Sequence, residues 1–333
     1  MQRKLEVELI ICGLRISQEY QGAELSVVQC SDDFTFFQTS VPGDNCLHVH
    51  YRVLVQTNTM LDEQEYVNRV LLEEIDLLLH CLSLFLIYPS CLVGYWAKLD
   101  GADVAYRPAS RALYPDLHDA AASWSQPLLT SGYSTEIRDD GWPALERLVR
   151  KFRQGTTALR QRLKLPLRWF AKASGELSSL DRLVSFWISF NVLYFHAKIR
   201  GGRKQIESYV PRWVDRTIAQ RYVHSNIEDL RRLSKFPVTI QFGRRDIAEE
   251  LKDLLATNPL DCEQIATIAA LTIYGIRNWL FHGECDLLAE QDKKQIRVAE
   301  RLLSSLLREL MAKEMLGHAL PSADFVKSAR LEW

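Results

Sequence analysis

Near the end of the chain, the stretch ALTIYGIRNWLFHGECDLL places Arg277, Asn278, His282 and Gly283 within seven positions. A guanidinium presents a planar fork of donors that matches a phosphate. An imidazole gives or takes a proton near neutral pH. Together they form a minimal kit for cleaving a phosphodiester by proton transfer and charge stabilisation. In an ideal helix Asn278 and His282, four apart, lie about 40° from one another, whereas Arg277 and His282, five apart, diverge by about 140°. Helical phase alone therefore does not converge arginine and histidine. Three devices relieve this: a left-handed cap at Gly283 that frees the histidine from strict phase, the reach of the arginine side chain, or a second copy of the helix across a twofold axis. The carbonyl end of the helix favours imidazolium, while a neighbouring arginine opposes it.

The elements that must position these groups are helical. From residue 142 the pattern reads as an all-α bundle running to about 312. WPALERLVRKFRQ has Pro143 near a helix start, and TALRQRLKL follows until Pro166 interrupts it. SSLDRLVSFWISFNVLYFHAKI then places Leu180, Leu183, Val184, Trp187, Asn191 and Tyr194 on one stripe, with Ser178 or Ser179 as N-cap and a stop near Gly201 and Gly202. DIAEELKDLL gives a helix ended by Asn258 and Pro259, after which the motif helix opens with Asp261 as N-cap and Gln264 three residues on. A last helix carries Ile296, Ala299, Leu302, Leu303, Leu306 and Leu310 on its apolar face.

The first half reads differently. KLEVELI, AELSVVQ, FTFFQT and LHVHYRVLVQT are short alternating or β-branched runs separated by turn residues, so antiparallel strands are expected. A helical period then runs through Tyr66, Val70, Leu71, Ile75, Leu78 and Leu82, and CLVGYWAKL and ADVAYRP return as strands. The expected fold class is thus α+β: a small α+β domain at 1–110, a connector at 111–141, the helical bundle at 142–312 and a tail at 313–333. A chain of 333 residues suits two domains, and its 47% apolar content supplies a core.

Composition narrows the partners. Formal net charge is −1, so attraction to nucleic acid has to come from local patches. Seven scattered cysteines, none in C-x-x-C spacing, read as reduced thiols and not as a disulfide framework or zinc site. The apolar runs are too short to span a bilayer and no signal peptide is recognisable, which makes the expected location cytoplasmic, without membrane contact. No P-loop, G-x-G-x-x-G, G-x-S-x-G or H-E-x-x-H occurs. His48 and His50 share one strand face, but with no third ligand nearby they read as ordinary strand residues, and neither metal nor cofactor is expected.

On these residues the chain resembles a known family. RNWLFHG, on a late helix of a helical half, is similar to the Arg-x(4–6)-His signature of HEPN domains, and LDRLVSFWISFNVLY resembles the helix that precedes that signature in many bacterial members. The resemblance covers the C-terminal half only. It implies a helical bundle that dimerises face to face and builds one ribonuclease site from two motif helices. Cleavage would use the RNA 2′-hydroxyl, need no metal, and leave 2′,3′-cyclic phosphate and 5′-hydroxyl ends. Arg277 would hold the phosphate, His282 would act as general acid or base, and Asn278 would position one of them. The implied roles are toxin or antiviral-defence effector, and the N-terminal domain would meet an inhibitory or trigger protein. Two other readings stay open: a non-catalytic HEPN-fold module binding nucleotide, RNA or protein, and a structural dimer seam held by Asn278 and His282.

Around the motif, residues 142–172 hold nine cations against Glu146 as the only acid. Arg147, Arg150, Lys151 and Arg153 are the candidate RNA contacts there, and Arg200, Arg203 and Lys204 add to them on KIRGGRK. Asn191 is either a hydrogen-bonded core amide or a supporting residue of the site.

Overall fold

The computed structural model describes residues 2–36, 39–56, 63–86, 90–112, 135–137, 139–176, 178–195, 199–236, 246–283, 285–286, 289–316 and 326–328. The chain divides into two compact units, residues 1–153 with 324–333, and residues 154–323.

The first unit is built on β1 (Gln2–Cys12), where Leu5, Val7 and Leu9 are buried and Glu6 and Glu8 point the other way, the period of two that a one-sided sheet requires. β1 pairs antiparallel with β7 (Cys46–Gln56), which sets Val53, Tyr51 and Val49 opposite those three side chains. Its other edge pairs with β8 (Cys91–Leu99). β3 (Tyr20–Gln21), β4 (Leu25–Gln29) and β9 (Ala102–Ala112) complete a six-stranded sheet in the order β3-β4-β7-β1-β8-β9. β8 and β9 are joined through Asp100 and Gly101, both at positive φ, the backbone that a two-residue hairpin turn demands. β5 (Phe34–Phe36) and β6 (Thr39–Val41) form a separate hairpin. A third small sheet joins β2 (Leu14–Ile16), β10 (Thr135–Ile137) and β11 (Val326–Ser328).

Three sequence expectations are corrected in this unit. Cys12 and Cys46 form a disulfide. They are 34 positions apart, and only the β1–β7 register makes them direct partners, so spacing carried no signal. The segment expected as a free tail contributes β11 to a sheet with β10. The third correction concerns the domain boundary. The helix expected to open the bundle, α2 (Gly141–Gln154), belongs with the sheet, as does α1 (Glu63–Ser83). The reason for α2 is Glu146, buried and accepting from the Tyr20 hydroxyl at 2.6 Å, from the backbone N–H groups of Ala23 and Glu24 at 3.1 and 3.0 Å, and from Arg150 at 2.7 Å. Most of the expected connector, residues 113–134, lies outside the described residues.

The second unit is helical: α3 (Thr157–Gly175), α4 (Ser179–Tyr194), α5 (Gly202–Trp213), α6 (Arg216–Ser225), α7 (Ile227–Leu233), α8 (Ile247–Ala256), α9 (Cys262–Phe281) and α10 (Glu290–Leu316). Pro166 does not interrupt α3 as expected. The burial of Leu163, Pro166, Leu167 and Phe170 along one side outweighs the single backbone bond that a proline removes. α4 is capped by Ser178, as expected, but ends at Tyr194 and not at the glycines, and Gly201 instead caps α5. α10 packs on α3, α4, α6, α7 and α9, while α9 packs on α5, α6, α7 and α8 as well. Among the described residues no helix is long and apolar enough to cross a membrane.

Because Glu146 alone satisfies a hydroxyl, two backbone donors and an arginine, Glu146→Ala is expected to cost about 3 kcal/mol. Urea denaturation would record this as a lower midpoint at unchanged slope; an unshifted midpoint would show that α2 docks without it.

Candidate functional site

α9 starts as expected, with the Asp261 carboxylate accepting from the Gln264 backbone N–H at 3.0 Å. From Cys262 to Ile276 its residues are largely buried, including Ile265, Ala269, Ile273 and Gly275. Then the helix leaves the core. Arg277, Asn278, Trp279 and Leu280 are half-buried, Phe281 is 54% exposed, and His282 and Gly283 are exposed. Gly283 has φ +74°, the left-handed position expected, and the His282 N–H closes the last turn on the Asn278 carbonyl at 2.9 Å.

The side chains at this exit are arranged unequally. The Arg277 guanidinium lies over the Phe281 ring at 4.3 Å, 5.9 Å from the Trp187 ring of α4, and donates to Asn278 Oδ1 at 3.0 Å. Its Nε is buried without a hydrogen-bond partner. Two aromatic faces thus hold the cation while leaving donors unused. Trp187 also packs on Tyr274 at 5.7 Å and Tyr194 at 6.1 Å. Burial pushes the Tyr194 phenol above its ordinary range, Tyr274 adds to this, and Arg277 opposes it. The structure therefore joins Arg277 and Asn278. It does not join either to the His282 ring: among the described residues no hydrogen bond or ion pair links Arg277 to His282.

Asn191 is exposed on α4, so it is not a core amide. The wider buried face of α4 belongs to Phe186, Trp187, Phe190 and Leu193. Of the basic candidates, Arg147 and Lys151 are exposed on α2. Arg150 faces Glu146 at 2.7 Å and Glu24 at 3.5 Å, and Arg153 pairs with Glu24 at 3.1 Å and Glu74 at 3.4 Å. Arg203 pairs with Glu207 at 2.8 Å. Arg200 and Lys204 are exposed and form no ion pair among the described residues. The basic strip is divided between the two units after Arg153. Four of the seven candidates, Arg147, Lys151, Arg200 and Lys204, thus present charge that forms no ion pair among the described residues.

On the sheet, His48 Nε2 lies 3.3 Å from the Glu8 carboxylate, and burial, with Arg52, lowers the His50 pKa. Among the described residues no group of three or more His, Cys, Asp or Glu side chains could hold a metal ion.

The helical unit also contains a cleft of about 570 Å³ beside α5, whose walls include Tyr194, Phe195, Tyr209 and Trp213 and whose cations are Arg162 and Arg212. The sequence reading passed over it. YVPRW, ending in an arginine and a tryptophan after a glycine-started helix, was the available signal, but the pairing with Phe195 and Arg162 is a matter of tertiary structure alone. Comparison with protein-family models, curated proteins and solved structures found no match to the chain.

The positive φ at Gly283 gives a prediction. Gly283→Ala is expected to cost about 1 kcal/mol and fray the turn that carries His282, while Gly283→Asn costs less. Paired urea melts check the order of the two; equal midpoints for alanine and asparagine would remove the cap from the account.

Proposed function

We propose that the helical unit is an RNA-cleaving domain of the HEPN type, in which Arg277 stabilises the scissile phosphate and His282 moves the proton. The observation that carries it is the exit of α9 from the core, where an arginine held by two aromatic rings and an exposed histidine share one helical end. In the proposed reaction the 2′-hydroxyl loses its proton and attacks the adjacent phosphorus. The P–O5′ bond breaks, the leaving oxygen takes a proton, and the products carry 2′,3′-cyclic phosphate and 5′-hydroxyl ends. A titratable ring serves either proton transfer, and a guanidinium answers the charge that accumulates on the non-bridging oxygens.

Since no hydrogen bond or ion pair joins Arg277 to His282 among the described residues, the proposal includes a homodimer that sets the two helix ends face to face, so that the arginine of one protomer meets the histidine of its partner. Phe281, large, apolar and 54% exposed on the last turn, supports that placement. RNA would be drawn by Arg147, Lys151, Arg200 and Lys204, which form no ion pair among the described residues. The N-terminal unit would sense a trigger or restrain cleavage, and a toxin or defence role fits such a restrained nuclease. One observation favours the non-catalytic module: Arg277 is already engaged by Asn278 on its own helix.

Cleavage of single-stranded RNA in EDTA separates the two. The wild type is expected to yield cyclic-phosphate ends, with Arg277→Ala and His282→Ala slower by about a hundredfold or more. Binding without any new 5′-hydroxyl ends would decide for the module, and unimpaired cleavage by both variants would remove these residues from the mechanism.

Phe281→Glu, which also takes one of the two rings from Arg277, is expected to sediment as a monomer and to lose cleavage. An active monomer would dismiss the composite site.

A further inference from the structure

The cleft beside α5 combines surfaces of two kinds. Tyr209 and Trp213 stack at 6.0 Å with an interplanar angle of 33°, and the Arg162 guanidinium sits 5.0 Å from the Trp213 ring. Phe195 is 63% exposed. Arg162 and Tyr209 are both fixed by one carboxylate, Glu314, whose side chain is 1% exposed and which accepts from them at 2.8 and 3.0 Å. Arg162 still keeps 42% of its side chain exposed. Arg212 is exposed and forms no ion pair among the described residues.

An apolar ligand would use the rings and leave the guanidiniums idle. A bare anion would do the reverse. A planar ring joined to an anion uses both, and a volume of about 570 Å³ lies within the roughly 300–1,000 Å³ of small-ligand sites. Ile199 and Gln205 line the cleft, so the unpaired Arg200 and Lys204 follow and precede lining residues directly in the chain. Cations beyond the mouth suit a polymer carrying further phosphates.

The cleft also neighbours the motif helix. A Cβ added to Gly202, at the start of α5, would lie 3.0 Å from the Tyr274 hydroxyl of α9, so glycine permits that close approach. Aromatic contacts run without a break from Trp213 to Tyr209, on to Phe190 at 6.4 Å, to Tyr194 at 4.9 Å and to Trp187 at 6.1 Å. Trp187 is the ring beside Arg277.

We propose that this cleft holds one unstacked nucleobase with its phosphate, the base against Trp213 and the phosphate at Arg162 and Arg212. The proposal deepens the ribonuclease reading and rests on it for the identity of the polymer. The same base-and-phosphate chemistry also occurs in a free mononucleotide. An acidic peptide lacks the stacking base and is an outcome of the test.

The experiment measures anisotropy of a labelled 2′-O-methyl oligonucleotide, which has no free 2′-hydroxyl, so binding is read without cleavage. The wild type is expected to bind it about tenfold more tightly than the same oligonucleotide stripped of its bases. Trp213→Ala should abolish that preference. Arg212→Ala, at an exposed position with no structural partner, should weaken both oligonucleotides by about tenfold. Adenosine monophosphate competing as well as the oligonucleotide assigns the cleft to free nucleotides, and competition by the oligonucleotide alone assigns it to the chain. Equal wild-type affinity for the two oligonucleotides, unchanged binding by Arg212→Ala, or displacement by an acidic peptide alone overturns the proposal. If Arg277→Ala and His282→Ala keep this binding while the wild type cleaves no natural RNA, the chemistry fails and the cleft stands. The converse removes only the cleft.

Discussion

The helical unit is organised by carboxylates that α10 buries. Glu300, Glu309 and Glu314 have side chains 7%, 9% and 1% exposed, and each faces an arginine from a different helix: Arg182 on α4, Arg221 on α6 and Arg162 on α3. Burial raises all three carboxyls above their ordinary range, and the facing arginine opposes the rise in each case. Such pairs add little net stability over apolar packing, but removing one partner leaves a buried charge alone at a cost of about 3–5 kcal/mol. Their effect is to fix which helix lies where. Arg301 with Asp229 and Lys313 with Asp215, both at the surface end of the scale, extend the same arrangement along α10. α10 packs on α3, α4, α6, α7 and α9, and α9 itself is placed by apolar packing along its buried face.

That division explains the site. α9 carries no ionic residue between Glu263 and Arg277, so the stretch from Ile265 to Ile276 can lie largely buried. A guanidinium and an imidazole cannot be enclosed that way without partners, and they occur where the helix emerges. The rings of Trp187 and Phe281 lower the conformational freedom of Arg277 without neutralising it, as a carboxylate would. A phosphate-binding arginine needs this combination: held in place, yet with donors left over. The same physics operates in the cleft, where Glu314 immobilises Arg162 by one nitrogen and leaves the rest of the guanidinium at the mouth.

How far the sequence disclosed this depends on whether the signal was local. Period-two alternation gave the long strands of the sheet, and the N-caps at Ser178 and Asp261 and the glycine cap at Gly283 were readable because caps use residues adjacent in the chain. Pairings between distant positions were not. Cys12 with Cys46, Glu146 with Tyr20, and Thr135 to Ile137 with Val326 to Ser328 exist only once register is set. Asn191 was misread because α4 packs on both α3 and α10, which shifts its buried face toward Phe186 and Phe190 and away from a single stripe. The HEPN resemblance drew attention to this helix end, and the physical reason that end is exposed is the loss of burial after Ile276, a tertiary fact.

The basic strip shows why composition overstates an interface. Nine cations against one acid looked like a nucleic-acid surface, yet Arg150 meets Glu146 of its own helix and Glu24 of the turn before β4, Arg153 meets Glu24 and Glu74 of α1, and Arg162 meets Glu314 of α10. Charges neutralised at 3 Å contribute little field at the distance of an approaching polyanion, since a pair acts as a dipole and salt screens it further. What remains effective is a smaller set of cations with no partner, among them Arg200 and Lys204 beside the cleft. On the proposed reading, a polyanion guided by those residues would arrive at α5, next to the helix that carries Arg277. Two independent properties of the helical unit, one electrostatic and one steric, would then favour a single approach path.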